Sequence, residues 1–392
     1  MGLVIIRHVQ PLIHCVHMKR LLLLVLLSII IFPVTAFAQE VKTVPVEALP
    51  PGQVAPAEIE TIEIKAKITE IIEKYDIDGD FQAKFLAEAD GKVYTVDTGE
   101  GYTKGLRYDL HEGQKVFLQV ILSDGEISQV FLVDVWRIPA LVLMFALFSV
   151  VILIVGRLRG LFALIGLLVT VGILFLFIFP SILAGHDAVL ITVIGGIVIL
   201  GVNMAFSHGL NRRTLAAYAS TVIGLFLAWL FGSVFVDYSS LSGLASEEVI
   251  FLSFEMGDLI LPQGLLLAGV ILGAIGVLDD IAITQTEAVQ EIRAADAKLS
   301  SKELYHRAMR IGRHHIASTV NTLVLAYVAV AMPLFLLFLI APEIDFIRFI
   351  NEELVAEEIV RTLAGTMALV LTVPISTFMA VRFGGSKECE HK

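Results

Sequence analysis

Between residues 138 and 383 long apolar runs alternate with short charged connectors, and before residue 137 the pattern has a different period. A helix crosses the hydrocarbon core of a bilayer with about 20 residues. Seven runs reach that length: 138–156, 160–180, 188–206, 214–235, 262–284, 316–340 and 359–381. Over 59–136 apolar residues instead recur at every second position, as in Ile62-Glu63-Ile64-Lys65-Ala66-Lys67-Ile68, and again from Lys92, over 114–122 and over 127–135. Gly91, Gly99, Gly113 and Gly125 fall near the breaks. Period two between glycine turns predicts roughly five short strands, a small barrel of OB-like form. The expected fold class is therefore an α-helical polytopic membrane protein of about seven transmembrane helices, preceded by a small extracytoplasmic β-barrel.

The first 38 residues read as a signal peptide. Lys19 and Arg20 supply its positive region, Leu21 to Phe32 its apolar region, and Ala36-Phe37-Ala38 a small-x-small cleavage site before Gln39. Met18, directly before Lys19, is a second candidate start, and an uncleaved anchor is the other reading of the segment. Residues 39–58 hold Pro45, Pro50, Pro51 and Pro56 with few large apolar groups, which makes them a linker. The domain order is then signal 1–38, linker 39–58, β domain 59–136, transmembrane domain 137–383 and a cytoplasmic tail 384–392.

Charge sign fixes the expected orientation. Arg157 and Arg159, Arg212 and Arg213, the run Arg293, Lys298, Lys302, Arg307, Arg310 and Arg313, and Arg382 with Lys387 follow the odd-numbered runs. The other gaps are acidic, with Asp187, Asp237, Glu247, Glu248, Glu255, Asp258, Glu343, Asp345, Glu352, Glu353, Glu357 and Glu358. The positive-inside rule places the basic connectors in the cytoplasm of a bacterial cell, the β domain outside and the C-terminus inside, spanning the inner membrane. Arg348 and Arg361 break the pattern on the outer side, each beside acids that could pair with it. The basic connector at 287–313 has helical spacing and predicts a cytoplasmic helical hairpin or interfacial helix. Met332-Pro333 and Val373-Pro374 interrupt hydrogen bonding within their runs.

Composition narrows the function classes. The 392 residues are 57% hydrophobic and 17% charged, more apolar than a soluble core requires. A net charge of −11 argues against nucleic acid as a partner. Cys15 and Cys389 give neither a disulfide framework nor a metal spacing. Asp76-Ile-Asp78-Gly-Asp80 has the start of a calcium loop, but Phe81 and Ala87 replace its glycine and closing glutamate, so an aspartate-rich hairpin turn is the better reading. No nucleotide loop, zinc motif or nucleophile constellation occurs, and no cofactor, metal or enzymatic activity is expected.

The fifth run carries the candidate chemistry. Gly269, Gly273, Gly276, Asp280, Thr284, Glu287 and Glu291 recur at spacings of three and four, one stripe of a helix. The glycines admit close helix packing, and a carboxylate within a bilayer must face protein or water. Asp280 is expected to line a hydrated path. Asp279, about 100° away round the helix, faces elsewhere. The bland reading puts both aspartates, wet, at the cytoplasmic lip. Asn203, Asn321, Thr322 and Arg313 would sit at similar depth, as a polar site with Asp280 or as packing bonds, and His314-His315 as solvated interface residues.

The same stretches carry a likeness. Gly273-Ala-Ile-Gly-Val-Leu-Asp-Asp-Ile-Ala-Ile-Thr-Gln285, then Gly312-Arg313 with Asn321-Thr-Leu-Val-Leu-Ala-Tyr327, then Glu358 and Arg361 through Pro374, resemble the YibE/F-like family of bacterial integral membrane proteins. His314 stands where many members carry an acid. The resemblance covers 138–383 well and implies a topology and candidate positions. It implies no activity; the intramembrane aspartate by itself points to a secondary transporter, exporter or permease. The alternative is a membrane scaffold or sensor whose β domain binds a partner. The partners expected are the lipid bilayer, a small solute or ion, and a membrane-protein partner or second copy of the chain.

Overall fold

The computed structural model describes residues 59–77, 80–99, 109–123, 126–340 and 345–384. The signal, the linker and residues 385–392 of the tail lie outside the described residues. The chain divides into two units, 40–154 and 155 onward.

The first unit is one antiparallel sheet of five strands in the order β3-β2-β1-β4-β5. These are β1 (Ile59–Ile77), β2 (Asp80–Ala89), β3 (Lys92–Asp97), β4 (Lys115–Ser123) and β5 (Glu126–Val135). Alternation explains the buried face: Ala66 and Ile68 of β1, Ala83, Phe85 and Ala87 of β2, Val96 of β3, and Val116 and Leu118 of β4 form one core. Strand β1 pairs with β4 over its first half and β2 over its second, with bulges after Ile68 and Ile71 that bend it between the two. Asp90 and Gly91 both have positive φ, the two-residue turn that matches hairpin twist. Asp76 and Ile77 pair with Phe81 and Asp80, so the aspartate-rich segment is a hairpin whose tip lies outside the described residues. The sheet curls into a half-barrel. Its edges, β3 and β5, flank a cleft of about 310 Å³ without joining in the ladder. Beside the core, Lys74 donates to Asp109 at 3.0 Å and, with His111, holds that carboxyl below its usual pKa.

Among the described residues, five helices are long and apolar enough to span a membrane, or six if one bent pair counts as a span. The first of these stretches covers two of the seven expected runs. Runs 138–156 and 160–180 lie in one 46-residue stretch, Ile138–Leu183, comprising α1 (Ile138–Ile173), a π-helical turn and α2 (Phe179–Leu183). Its 46 residues are more than twice the roughly 20 that one crossing needs. The backbone leaves helical geometry at Arg157 (φ 51°, ψ −129°), so two helices meet there across a kink, at the boundary between the two runs.

The helices that follow are α3 (Ala188–His208), α4 (Arg212–Tyr238), α5 (Glu247–Met256), α6 (Pro262–Ala295), α7 (Ser301–Val330), α8 (Met332–Ile340), α9 (Phe346–Asn351) and α10 (Glu353–Phe383). Their core is three helices, and small residues four apart explain it. Helix α4 buries Ala216, Ser220, Gly224, Ala228 and Gly232. Helix α10 buries Ala364, Ala368, Thr372, Ser376 and Ala380. Helix α6 buries Val270, Ala274, Leu278, Ala282, Thr286 and Gln290. Rows at i and i+4 form ridges, and small side chains on them let backbones approach. A Cβ on Gly224 would run into Thr372 Oγ1 and, at 2.9 Å, Leu278. The buried hydroxyls are satisfied within their own helices: Ser220 donates to the Ala216 carbonyl, Thr221 to Ala217 and Thr372 to Ala368. Small polar residues therefore sit in this core without unpaired groups at those positions.

Helix α3 leans on α6 through Gly196, whose Cβ would lie 2.7 Å from Ile275. Helix α7 returns antiparallel to α6 after the turn at 296–300, the hairpin expected of the basic connector. Met332-Pro333 produces a 62° bend between α7 and α8. Pro374, by contrast, lies inside an unbroken α10, which starts at Glu353 rather than 359.

Candidate functional site

Helix α6 has two faces. The ridge described above is buried, whereas Gly273, Gly276 and Asp280 are exposed. A Cβ on Gly276 would meet nothing within 4 Å. Along this open face three polar groups from other helices line up in order. Near Gly269 lies Arg361 of α10, its Nε 3.8 Å from where a Cβ would be. At Gly273 stands Tyr327 of α7, whose hydroxyl fills the space of the missing side chain at 2.6 Å. At Asp280 stands His315 of α7, its Nε2 4.0 Å from Oδ2, near enough for charge pairing and too far for a direct hydrogen bond. From Gly269 to Asp280 is about 16 Å of helix.

The far end of the row is an ion pair between Arg361 and Glu358 of α10, both about three-quarters shielded. Arg361 Nε and the Oε1 of neighbouring Glu357 are buried with no partner, so this end keeps unused hydrogen-bonding capacity. A cavity of about 190 Å³, lined by Tyr327, Glu358 and apolar residues including Val324, Phe335 and Ile359, opens beside it. Arg348, the other basic exception, lies 3.9 Å from Glu352.

The remaining sequence candidates separate. Asp280 is two-thirds exposed. Asp279 is half-buried with Oδ1 wholly enclosed and unpartnered. It follows Ile275 by one turn, on the side of α6 that packs on Gly196 of α3. The two carboxylates thus occupy different faces. Asn203 does not join either: its amide exchanges hydrogen bonds with the Thr170 hydroxyl at 3.1 and 3.3 Å, against Gly166 of α1. Asn321 and Thr322 are exposed on α7, Thr322 donating to the Ser318 carbonyl. Arg313 is exposed and donates to the Met309 carbonyl at 3.4 Å. Thr284 is half-buried. Of the expected polar set, only Asp280 sits in the row.

Three members, Tyr327, Glu358 and Arg361, entered the sequence reading as motif letters or charge exceptions rather than as a site. Tyr327 and Arg361 lie 34 residues apart in sequence, and no spacing rule connects them. Their signal was a tyrosine and an ion pair within otherwise apolar helices. Also missed were Gln285 and Gln290, buried on α6. Gln285 donates to the Ala308 carbonyl at 2.9 Å and Gln290 to Gly384 at 2.8 Å, fastening α6 to α7 and α10. Gly312 makes the junction possible, since a Cβ there would lie 2.6 Å from Val373 and 3.0 Å from Gln285. Among the described residues no cluster of three metal-ligating side chains occurs.

The glycine-aspartate stretch, the Gly-Arg to Tyr327 stretch and the Glu358 to Pro374 stretch are therefore neighbours in space, on α6, α7 and α10. No curated protein and no solved structure matches the chain. The model of the YibE/F-like protein family matches residues 144–385. That match takes in well over half of the 392 residues and all three of those stretches, and the chain belongs to the YibE/F-like family.

Proposed function

We propose that this membrane protein is a secondary transporter or exporter of the bacterial inner membrane, with Asp280 as the proton- or cation-exchanging group. The sheet unit then faces the outside and the α6–α7 turn the cytoplasm, as the basic connectors require. One observation carries the reading: the open glycine face of α6 is lined in sequence by Arg361–Glu358, Tyr327 and His315–Asp280 within an apolar bundle. Ionisable groups inside a membrane are costly and mark ion or substrate paths. Asp280 and His315 offer two groups that can trade a proton, and Tyr327 a hydroxyl that both donates and accepts. Bare glycine leaves room beside them for water or a small solute. The reading calls for no enzymatic chemistry and no cofactor.

The test is flux through purified protein in liposomes that carry a pH-sensitive dye, with sodium, potassium, magnesium and inorganic phosphate supplied in turn. Wild type is expected to move protons against one of these solutes, and Asp280→Asn to lose at least 90% of that flux at equal incorporation. Full flux in the variant would remove Asp280 from the mechanism.

The cleft between β3 and β5, with Lys84, Tyr94, Asp97 and Gln129 on its walls, supports the scaffold or sensor reading instead. There Asp280→Asn is silent and deletion of residues 59–136 is fatal.

A further inference from the structure

A second cavity, of about 540 Å³, lies at the other end of the α6–α7 hairpin from the polar row and plays no part in the reading above. Arg293 of α6, Lys302 of α7 and Arg382 of α10 line it, with Ser301 and Tyr305, and no carboxylate is among the lining residues described. Three cations from three helices share one hollow whose described walls hold no counter-charge. Such a cluster repels itself unless an anion occupies it.

The geometry also supplies neutral donors. Ser301 and Lys302 are the first residues of α7, a 30-residue helix. The side chain of Ser300 caps it by accepting from the Glu303 N–H at 3.2 Å, which leaves the earlier amides of the first turn without helical partners. The helix dipole adds positive potential at that end. Arg293 is held in place because its Nη2 donates to the Val381 carbonyl at 2.8 Å, leaving the rest of its guanidinium for another acceptor. The floor is apolar and includes exposed Phe378, on the membrane-spanning helix α10.

We infer that this cavity binds a phosphate group, through Arg293, Lys302, Arg382 and the hydroxyls of Ser301 and Tyr305. Guanidinium and ammonium groups beside free helix amides match the oxygens of a phosphate mono- or diester. The volume lies in the range of small-molecule sites. Phosphate arrives here from either a lipid headgroup, with its acyl chain over Phe378, or a free anion in the aqueous phase. The site does not depend on Asp280 or on transport.

The experiment uses the full chain in nanodiscs. Native mass spectrometry reads retention of phosphatidylglycerol from mixed phosphatidylglycerol and phosphatidylcholine discs. Calorimetry reads inorganic phosphate binding in pure phosphatidylcholine discs. The comparison is wild type against Lys302→Gln/Arg382→Gln, two exposed positions whose loss spares the Arg293 tether, with folding checked by circular dichroism. Each cation at a membrane surface is worth roughly a factor of five, so the double variant is expected to bind about 30-fold more weakly. Retained phosphatidylglycerol without phosphate binding assigns the site to a lipid headgroup. Phosphate binding in phosphatidylcholine discs assigns it to a soluble anion. Equal behaviour of wild type and double variant in both assays, including no binding by either, overturns the inference.

Discussion

At the scale of single residues, the glycines of α6 do different jobs, and substitution separates them. Gly276 faces open space, so Gly276→Ala adds a methyl that touches nothing and gains helix propensity of up to about 1 kcal/mol. Thermal unfolding in detergent is expected to show no loss of stability. Gly273 is occupied by the Tyr327 hydroxyl, so Gly273→Ala must displace the ring or the helix. Overpacking of this kind costs about 1–3 kcal/mol. Combining it with Tyr327→Phe, which removes the crowding oxygen, is expected to recover most of the loss; an additive double variant would mean that the two residues do not meet. The sequence placed both glycines on one stripe and gave no means of telling them apart, because what distinguishes them is a side chain from a helix some 50 residues later in the chain. Asp279 and Asp280 were legible to the extent that adjacent helical residues cannot share a face. Which of the two meets the open side depends on how α6 is rotated against α3 and α7, and that is set by packing.

At the scale of elements, helix identity came from apolar runs, but helix contacts came from small residues that hydropathy does not weigh. The four-residue rows on α4, α6 and α10 were present in the chain and masked by the glycine stripe of the fifth run, where Gly276 faces open space and Gly273 meets the Tyr327 hydroxyl. The junction of α6, α7 and α10 rests on Gly312 lying between Gln285 and Val373. Gly312→Ala is therefore expected to cost about 1–3 kcal/mol in thermal unfolding, against no cost for Gly276→Ala on the same hairpin. Equal effects would show that the junction is loose. The boundary between the first two runs has an equally physical signal. Gly156-Arg157-Leu158-Arg159-Gly160 is polar enough to read as a connector, and the chain kinks there at Arg157 before the helix resumes. Pro333 and Pro374 look alike in sequence and behave differently. The first lies where α7 turns into α8, whereas the second lies inside α10, which runs on through it.

At the scale of the whole molecule, the chain comprises a sheet unit with its own core and a helical unit whose tight centre is three helices, with α3 and α7 packed on that centre's flanks. The large apolar exposure of residues 138–155 and of α8 is what lipid requires, and water does not explain it. Exposure of Asp280, Gly276 and Gly273 on the same molecule then needs an explanation, because a bare glycine face ending in a carboxylate is a poor surface for acyl chains. On the proposed reading this face is wet. Cysteine labelling tests it most directly: with Cys15 and Cys389 replaced by serine, Gly276→Cys is exposed in liposomes to a membrane-impermeant thiosulfonate, beside Phe226→Cys on the apolar surface of α4 and Glu291→Cys near the end of α6. Gly276→Cys is expected to react within about tenfold of the rate at Glu291→Cys, with Phe226→Cys inert. A Gly276→Cys as unreactive as Phe226→Cys would place the face in lipid or against another helix and rule out a hydrated path along it.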